Sequence, residues 1–320
     1  MRQAAIYPIA RTLIRELAMT ALLMLGVSFV VFVILYVSPG DPFSALLGGQ
    51  MPSAQNEAGI RAALGIPQTW YGQYLSWLTH LLRGDFGNSI ITGLPVFSQV
   101  VRVGINTLYL TLGSMLVTLI IAVPIALYSA ARGTTPTGVV FTLGAYVISA
   151  LPVFWLGYIV IYIFIHRFGL FPIAFGSSIP EAHRLMFFML PILVLGIGNG
   201  TTSEIIRTLR EEMSRVMAED YIRTARAKGA SVWRHAFREG FLLPVTGIVA
   251  SKIPFILGGA VIVEQVFNWP GMGRMAWQAA QQRDFPVIMG IAIIAAAFVR
   301  IGSLIQRIVF TAVNPRASQL

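Results

Sequence analysis

Polar and apolar positions in this chain separate into long blocks. Leu17–Gly40 runs 24 residues without a charge, Val103–Ala131 runs 29, Gly133–Ile165 runs 33 and Leu185–Ser203 runs 19. Phe241–Val263 carries one charge, Lys252. Phe285–Val299 is uncharged for 15 residues and continues past Arg300 to Val313. About 20 apolar residues in a helix cross the hydrocarbon core of a bilayer, and a basic side chain near a helix end can snorkel to the interface. The blocks therefore predict an all-α, polytopic membrane protein with about six transmembrane helices. The first block is too long for a signal peptide and no small-x-small cleavage site follows it, so it reads as a retained span.

Composition sharpens this picture. Only 11% of the 320 residues are charged and 56% are hydrophobic, against about 25% charged in soluble domains. The formal net charge of +10 is unevenly placed. With six spans both termini share a side, and that side holds fifteen Lys and Arg against seven on the other, Lys252 lying inside a span. The positive-inside rule puts the fifteen, and both termini, in the cytoplasm. The basic excess is thus a topology signal, and nucleic-acid binding is not implied. Cysteine is absent, so disulfides are excluded.

Between the blocks lie two segments of interest. The external one, 41–101, contains TWYGQYLSWLTHLL, where Trp70, Tyr74, Trp77 and Leu81 fall on one helical face. It fits an interfacial helix resting on the bilayer, or a lid over a path. The cytoplasmic one, 204–240, holds eight of the 23 Lys and Arg between Arg207 and Arg238. Glu219 and Asp220 suit a helix start. Ala225, Ala227 and Ala230 offer a low-profile surface, and Gly229 suits a left-handed cap. A second helical piece is expected over 233–239. The segment fits a docking helix, or a basic loop against anionic lipid.

Catalytic chemistry is not indicated. Neither lysine, Lys228 or Lys252, stands in a GxxxxGK[ST] loop, so no nucleotide-binding P-loop exists. GIGNG (196–200) lies inside an apolar block with no preceding strand, and reads as small residues for close helix packing. His80, His166, His183 and His235 lack metal-ligand spacing. Three ionisable groups fall in or near spans: Glu204 toward the inner interface, Glu264 toward the outer, and Lys252 deepest. Each is a candidate pathway residue or interhelical contact. Pro124, Pro152, Pro191 and Pro254 fall in or near spans and can kink them. A stand-alone secondary transporter is the rival class, but such proteins show internal repeats, and none is visible.

DYIRTARAKG followed by RHAFREGFLLP resembles the coupling motif of type I ABC-importer permeases. SPGDP (38–42), GDFGNSI (84–90), GLPV (93–96), EQVFNWPGMGRMAWQA (264–279), RDFPVIMG (283–290) and NPRAS (314–318) resemble, in order, the first permease subunit of the peptide/nickel uptake family. That resemblance implies the type I ABC-importer permease fold, with 1–16 a cytoplasmic N-terminus, 17–40 the first transmembrane helix, 41–101 an external segment, 102–313 a core of five transmembrane helices, and 314–320 a cytoplasmic tail. It implies that Glu219, Asp220, Tyr221, Arg223, Thr224, Ala225, Arg226, Ala227, Lys228 and Gly229 couple to an ATPase. The implied partners are a second homologous permease, two ATPase subunits or domains, an extracytoplasmic substrate-binding protein and the lipid of a bacterial inner membrane. No cofactor would bind this chain, ATP and Mg belonging to the partners. Peptides are the implied substrate class, with nickel chelates, opines or other small solutes as alternatives. Two departures stand out. Five residues separate Gly229 from His235 where about nine are expected, and Arg307 and Asn314 stand where relatives carry acids.

Overall fold

A computed structural model describes residues 3–38, 69–132, 135–169, 181–198, 200–232, 236–242, 244–247 and 260–313. Among these residues the chain is all-α. No strand occurs, and the one extended pairing is an isolated bridge between Asn88 and Pro95. Contacts divide the chain into two units, Met1–Val103 with Met275–Arg300, and Gly104–Arg274 with Ile301–Leu320.

In the first unit, α1 (Gln3–Val37) begins well before the charge-free block and takes in most of the segment expected as a terminal tail. The amphipathic helix α2 (Trp70–Leu82) lays its aromatic face on α1. The Tyr74 and Ser28 hydroxyls lie 3.0 Å apart. The Tyr74 ring sits 5.5 Å from Phe29 and 5.3 Å from Phe32. The stripe seen in the sequence thus has a protein partner, and such ring pairs add about 0.5–1.5 kcal/mol each beyond their burial.

The last helix, α10 (Phe285–Val313), carries Arg300 deep in its length. Arg300 does not snorkel. Its Nη2 lies 3.1 Å from Glu16 Oε2, and Nε and Nη2 donate to Thr20 Oγ1 at 3.0 and 2.8 Å. The two charged side chains are 14% and 20% exposed. A charge among apolar helices is costly unless paired, and α1 supplies the pair.

The second unit packs α3 (Val96–Arg132, from Gly104 onward), α4 (Pro136–Ala150), α5 (Val153–Phe168), α6 (Glu181–Gly198) and α7 (Thr201–Met217). Leu110, Leu195, Phe267 and Trp269, all fully buried, lie at its core. Among the described residues, three helices are long and apolar enough to span a membrane: Ala18–Val37, Val96–Ala130 and Phe285–Leu304. The third and fourth expected spans are broken pairs instead. α4 and α5 meet at 96°, α6 and α7 at 51°. The first break follows from Pro152, which forces Leu151 to an extended ψ of 135°. The second turns at Gly200, in the left-handed region at φ 76°. There the Gly196 carbonyl, left without a helical partner, accepts from Thr118 Oγ1 at 2.6 Å and Thr202 Oγ1 at 2.8 Å. A Cβ on Gly196 would stand 2.8 Å from the Ser114 carbonyl oxygen. The close-packing reading of GIGNG therefore holds at Gly196. Most of the fifth expected span lies outside the described residues.

Candidate functional site

The segment expected to face the cytoplasm is built on α7. Its apolar stripe, Ile205, Ile206, Leu209, Met213 and Val216, is buried at 1% exposure or less. Its other face carries charge, with Arg207 3.9 Å from Glu211, and Arg215 pairing with Glu212. These exposed pairs contribute little to stability, so the buried stripe holds α7 in place. At its base, α8 (Asp220–Ala227) folds across the helix end. Ile222 and Ala225 are buried, and Ile222 packs with Met213, Val216 and Ala236. An eight-residue helix is unstable alone; the Ile222 seat fixes it.

This seat corrects one expectation. Ala225 was assigned to the outward, partner-facing surface, but it lies three positions from Ile222 and so shares the inward face. The outward face is Asp220, Tyr221, Arg223, Thr224, Arg226, Ala227 and Lys228, all exposed. Asp220 pairs with Arg223 at 3.3 Å within the helix. Glu219 is the N-cap residue, with extended backbone and no side-chain cap bond. The helix ends at Gly229, φ 68°. Its N–H donates to the Arg226 carbonyl at 3.1 Å, and the Ala230 N–H to the Ala225 carbonyl at 2.9 Å. This double bond pattern is the Schellman cap, which glycine adopts without strain. Of the second helical piece expected over 233–239, the described part is helical at Ala236 and continues into a π-type turn over Phe237–Leu242. Residues 233–235 lie outside the described set.

Two of the three expected membrane charges, Glu204 and Glu264, fall on described residues. Lys252 lies outside the described residues. Glu204 sits in the first turn of α7 and lines a cleft with Arg207. Glu264 is fully buried and acts inside its own loop. Its carboxylate accepts from Thr107 Oγ1 at 2.7 Å and from the Arg274 N–H at 2.9 Å. Thr107 Oγ1 in turn accepts the Met272 N–H at 2.8 Å. Together they satisfy orphan N–H groups at the start of α9 (Met272–Gln282), which a carboxylate at that end favours. Asn106 ties down the same loop, donating to the Pro270 carbonyl at 2.8 Å and accepting from Trp269 Nε1 at 3.1 Å. The glycines of the motif make room for this: a Cβ on Gly273 would lie 2.7 Å from Val261 Cα, and one on Gly271 would overlap the Glu264 carboxylate.

A second motif pair meets in the first unit. Asp284, 3% exposed, precedes α10 and accepts from Ser89 Oγ and from the Ile90 N–H at 3.1 Å. It joins RDFPVIMG to GDFGNSI. Sequence reasoning did not single out Asp284, Ser89, Asn106 or Thr107. Asp284 carried a signal, an Asp just before an apolar helix with Pro in its first turn. Asn106 and Thr107 carried none, sitting in an uncharged block.

Residues 122–319 match the family described as the binding-protein-dependent transport system inner membrane component, and residues 9–101 match the N-terminal region of such membrane components. Among curated proteins, the oligopeptide transport system permease protein AppB of Bacillus subtilis is 36% identical over 315 residues, covering 96% of this chain and 99% of the relative. The glutathione transport system permease protein GsiC of Salmonella typhimurium is 34% identical over 298 residues, with 91% and 94% covered. A putative peptide permease protein of Brucella suis is 33% identical over 307 residues, with 92% and 94% covered.

Proposed function

The chain belongs to the family of inner membrane components of binding-protein-dependent transport systems, and on that premise we propose that it forms half of the translocation pathway of an ATP-driven importer of peptides. It is a multi-pass transport subunit and not an enzyme; ATPase and substrate-binding activities belong to its partners. A second homologous permease completes the pathway, two ATPase subunits carry ATP and Mg, and an extracytoplasmic binding protein delivers the solute. Both termini face the cytoplasm of a bacterial inner membrane. The peptide class rests on the names of the relatives, with glutathione, itself a peptide, among them.

The observation that carries the coupling role is the presentation of α8. Ile222 and Ala225 hold it against α7, and its other side chains point outward. A helix fixed on one face and capped at Gly229 transmits a push as a rigid body, so ATPase closure would move α7 and the breaks above it. Glu219, Asp220, Tyr221, Arg223, Thr224, Arg226, Ala227, Lys228 and Gly229 form the coupling surface, and Ala225 supports it from beneath.

The test is reconstitution. Expressed with its partner permease and ATPases, the chain should copurify with both and support peptide uptake that requires ATP and the binding protein. Uptake driven by an ion gradient, with this chain alone and no ATP, would establish the secondary-transporter alternative instead.

A further inference from the structure

In the first unit the Arg300–Glu16 pair ties α10 to α1 near one end of their spans. Toward the other end a cavity of about 170 Å³ lies between the same two helices. Phe32, Leu35 and Tyr36, in the last turns of α1, form one wall. Phe285 and Met289, in the first turns of α10, form another, and Trp77 of α2 a third. The walls are braced. The Phe32 ring lies 6.2 Å from Tyr36 and 5.3 Å from Tyr74, and Tyr74 lies 6.0 Å from Trp77. Rings held in such a row do not swing in to fill the space. The lining is carbon almost throughout, and its one amide, Gln73, is already engaged. A water molecule needs two to four polar partners to stay in a cavity, so water is a poor occupant here. An apolar cavity of about 150 Å³ takes a benzene ring, so this one has room for about six carbons.

The medium beside the cavity decides what those carbons are. The chain is a multi-pass membrane protein, and only 6% of the Ala18–Val37 span is buried within it. Phe29, Val30 and Ile34 are exposed on α1, so an apolar surface open to the bilayer continues along α1 into the cavity. Tyr36 is one residue from the end of that span, and Phe285 opens the Phe285–Leu304 span. The cavity therefore sits at a membrane boundary, the level at which Trp and Tyr concentrate and at which the acyl chains of a phospholipid begin. We propose that it is a phospholipid site, in which the upper carbons of one acyl chain lie between α1 and α10 beside Trp77. A chain held there touches packed side chains on three sides, and the braced walls gain the dispersion contacts that a void forfeits. Such a site requires only that the protein spans a bilayer, whatever solute it carries. The competing occupant is an apolar side chain of a neighbouring subunit.

Photolabelling from the lipid side separates the two. The assembled transporter is reconstituted into phosphatidylcholine membranes doped with a phosphatidylcholine that carries a diazirine in the upper part of one acyl chain. It is irradiated before and after washing in lipid-free detergent, and labelled residues are mapped by mass spectrometry. Trp77 and Met289 report the cavity; Val30 and Ile34, exposed on α1, report ordinary boundary lipid. We expect all four to be labelled in membranes, and only Trp77 and Met289 to keep their label yield after the wash. Leu35→Trp fills the cavity from α1 and should abolish the retained labelling, with Leu35→Phe as a milder filling; copurification with the partner subunits shows that each variant is folded. Retained labelling in a folded Leu35→Trp transporter would overturn the proposal. So would cavity labelling that washes away with that of Val30 and Ile34, or retention at all four positions, which would mean lipid held by the surface at large. No labelling of Trp77 and Met289 from the outset would give the cavity to a protein side chain. The wash comparison uses the unaltered chain, so it decides the matter even if neither variant assembles.

Discussion

Substituting Gly229 separates two costs that a partner-docking helix must bear. In the chain alone the cost is backbone strain. Gly229 has φ 68°, where a side chain costs about 1 kcal/mol or more, and where Asn is the best tolerated replacement. A Cβ placed there meets no described atom within 4 Å, so the chain itself adds no clash. A strain of about 1 kcal/mol lowers the equilibrium constant for the capped helix about fivefold. Gly229→Ala should therefore cut ATPase recovery by no more than that factor if strain acts alone. If the turn also presses on an ATPase, Gly229→Ala and Gly229→Asp should lose far more, and Gly229→Asn should fail too despite its tolerance of the left-handed region. The assay quantifies membrane yield, ATPase copurification and peptide uptake in one preparation of each variant. We expect normal membrane yield, with recovery and uptake abolished in Gly229→Asp. Normal uptake and full ATPase recovery in that variant would refute the docking role and leave a loop resting on lipid.

Three further outcomes follow from the packing. Glu16→Arg or Arg300→Glu alone breaks a mostly buried pair and should cost on the order of 3 kcal/mol, lowering detergent thermal stability, and the double swap should recover much of it; a swap no better than either single would remove the pairing role. Gly273→Ala brings a Cβ to 2.7 Å from the Val261 backbone, which no rotamer relieves, so it should destabilise by about 1–3 kcal/mol in a thermal shift, while Gly144→Ala, which meets nothing within 4 Å, should be neutral. Thr79→Cys should react with an impermeant maleimide from outside intact cells and Ser231→Cys should not, and the reverse pattern would invert the topology.

The three unbroken spans were legible because hydropathy depends on local composition alone: α1, α3 and α10 each take in most or all of a charge-free block. Breaks inside a block were less so. Pro152 and Gly200 were visible, but whether a proline kinks a helix or ends it depends on what re-satisfies the freed backbone. At the second break that task falls to Thr118, far away in sequence. The proposed coupling helix, α8, was legible in its ends, Asp220 and Gly229, because caps are local. Its facing was misjudged at Ala225, since only the Met213 and Val216 surface of α7 decides which side of so short a helix turns inward. The Glu264 and Asp284 networks stayed hidden for a related reason: each carboxylate answers N–H groups or hydroxyls that long-range folding brings to it.

The central claim, that α8 is seated on an ATPase, is tested most directly by what lies against its outward face. Ala227→Cys gives a single thiol on that face, exposed and opposite the Ile222 seat. Labelled with a benzophenone maleimide and irradiated in the assembled transporter, it should crosslink to an ATPase subunit, with a yield that changes between nucleotide-free and ATP-bound states. Crosslinking to lipid alone, in a complex that still imports peptide, would contradict the account.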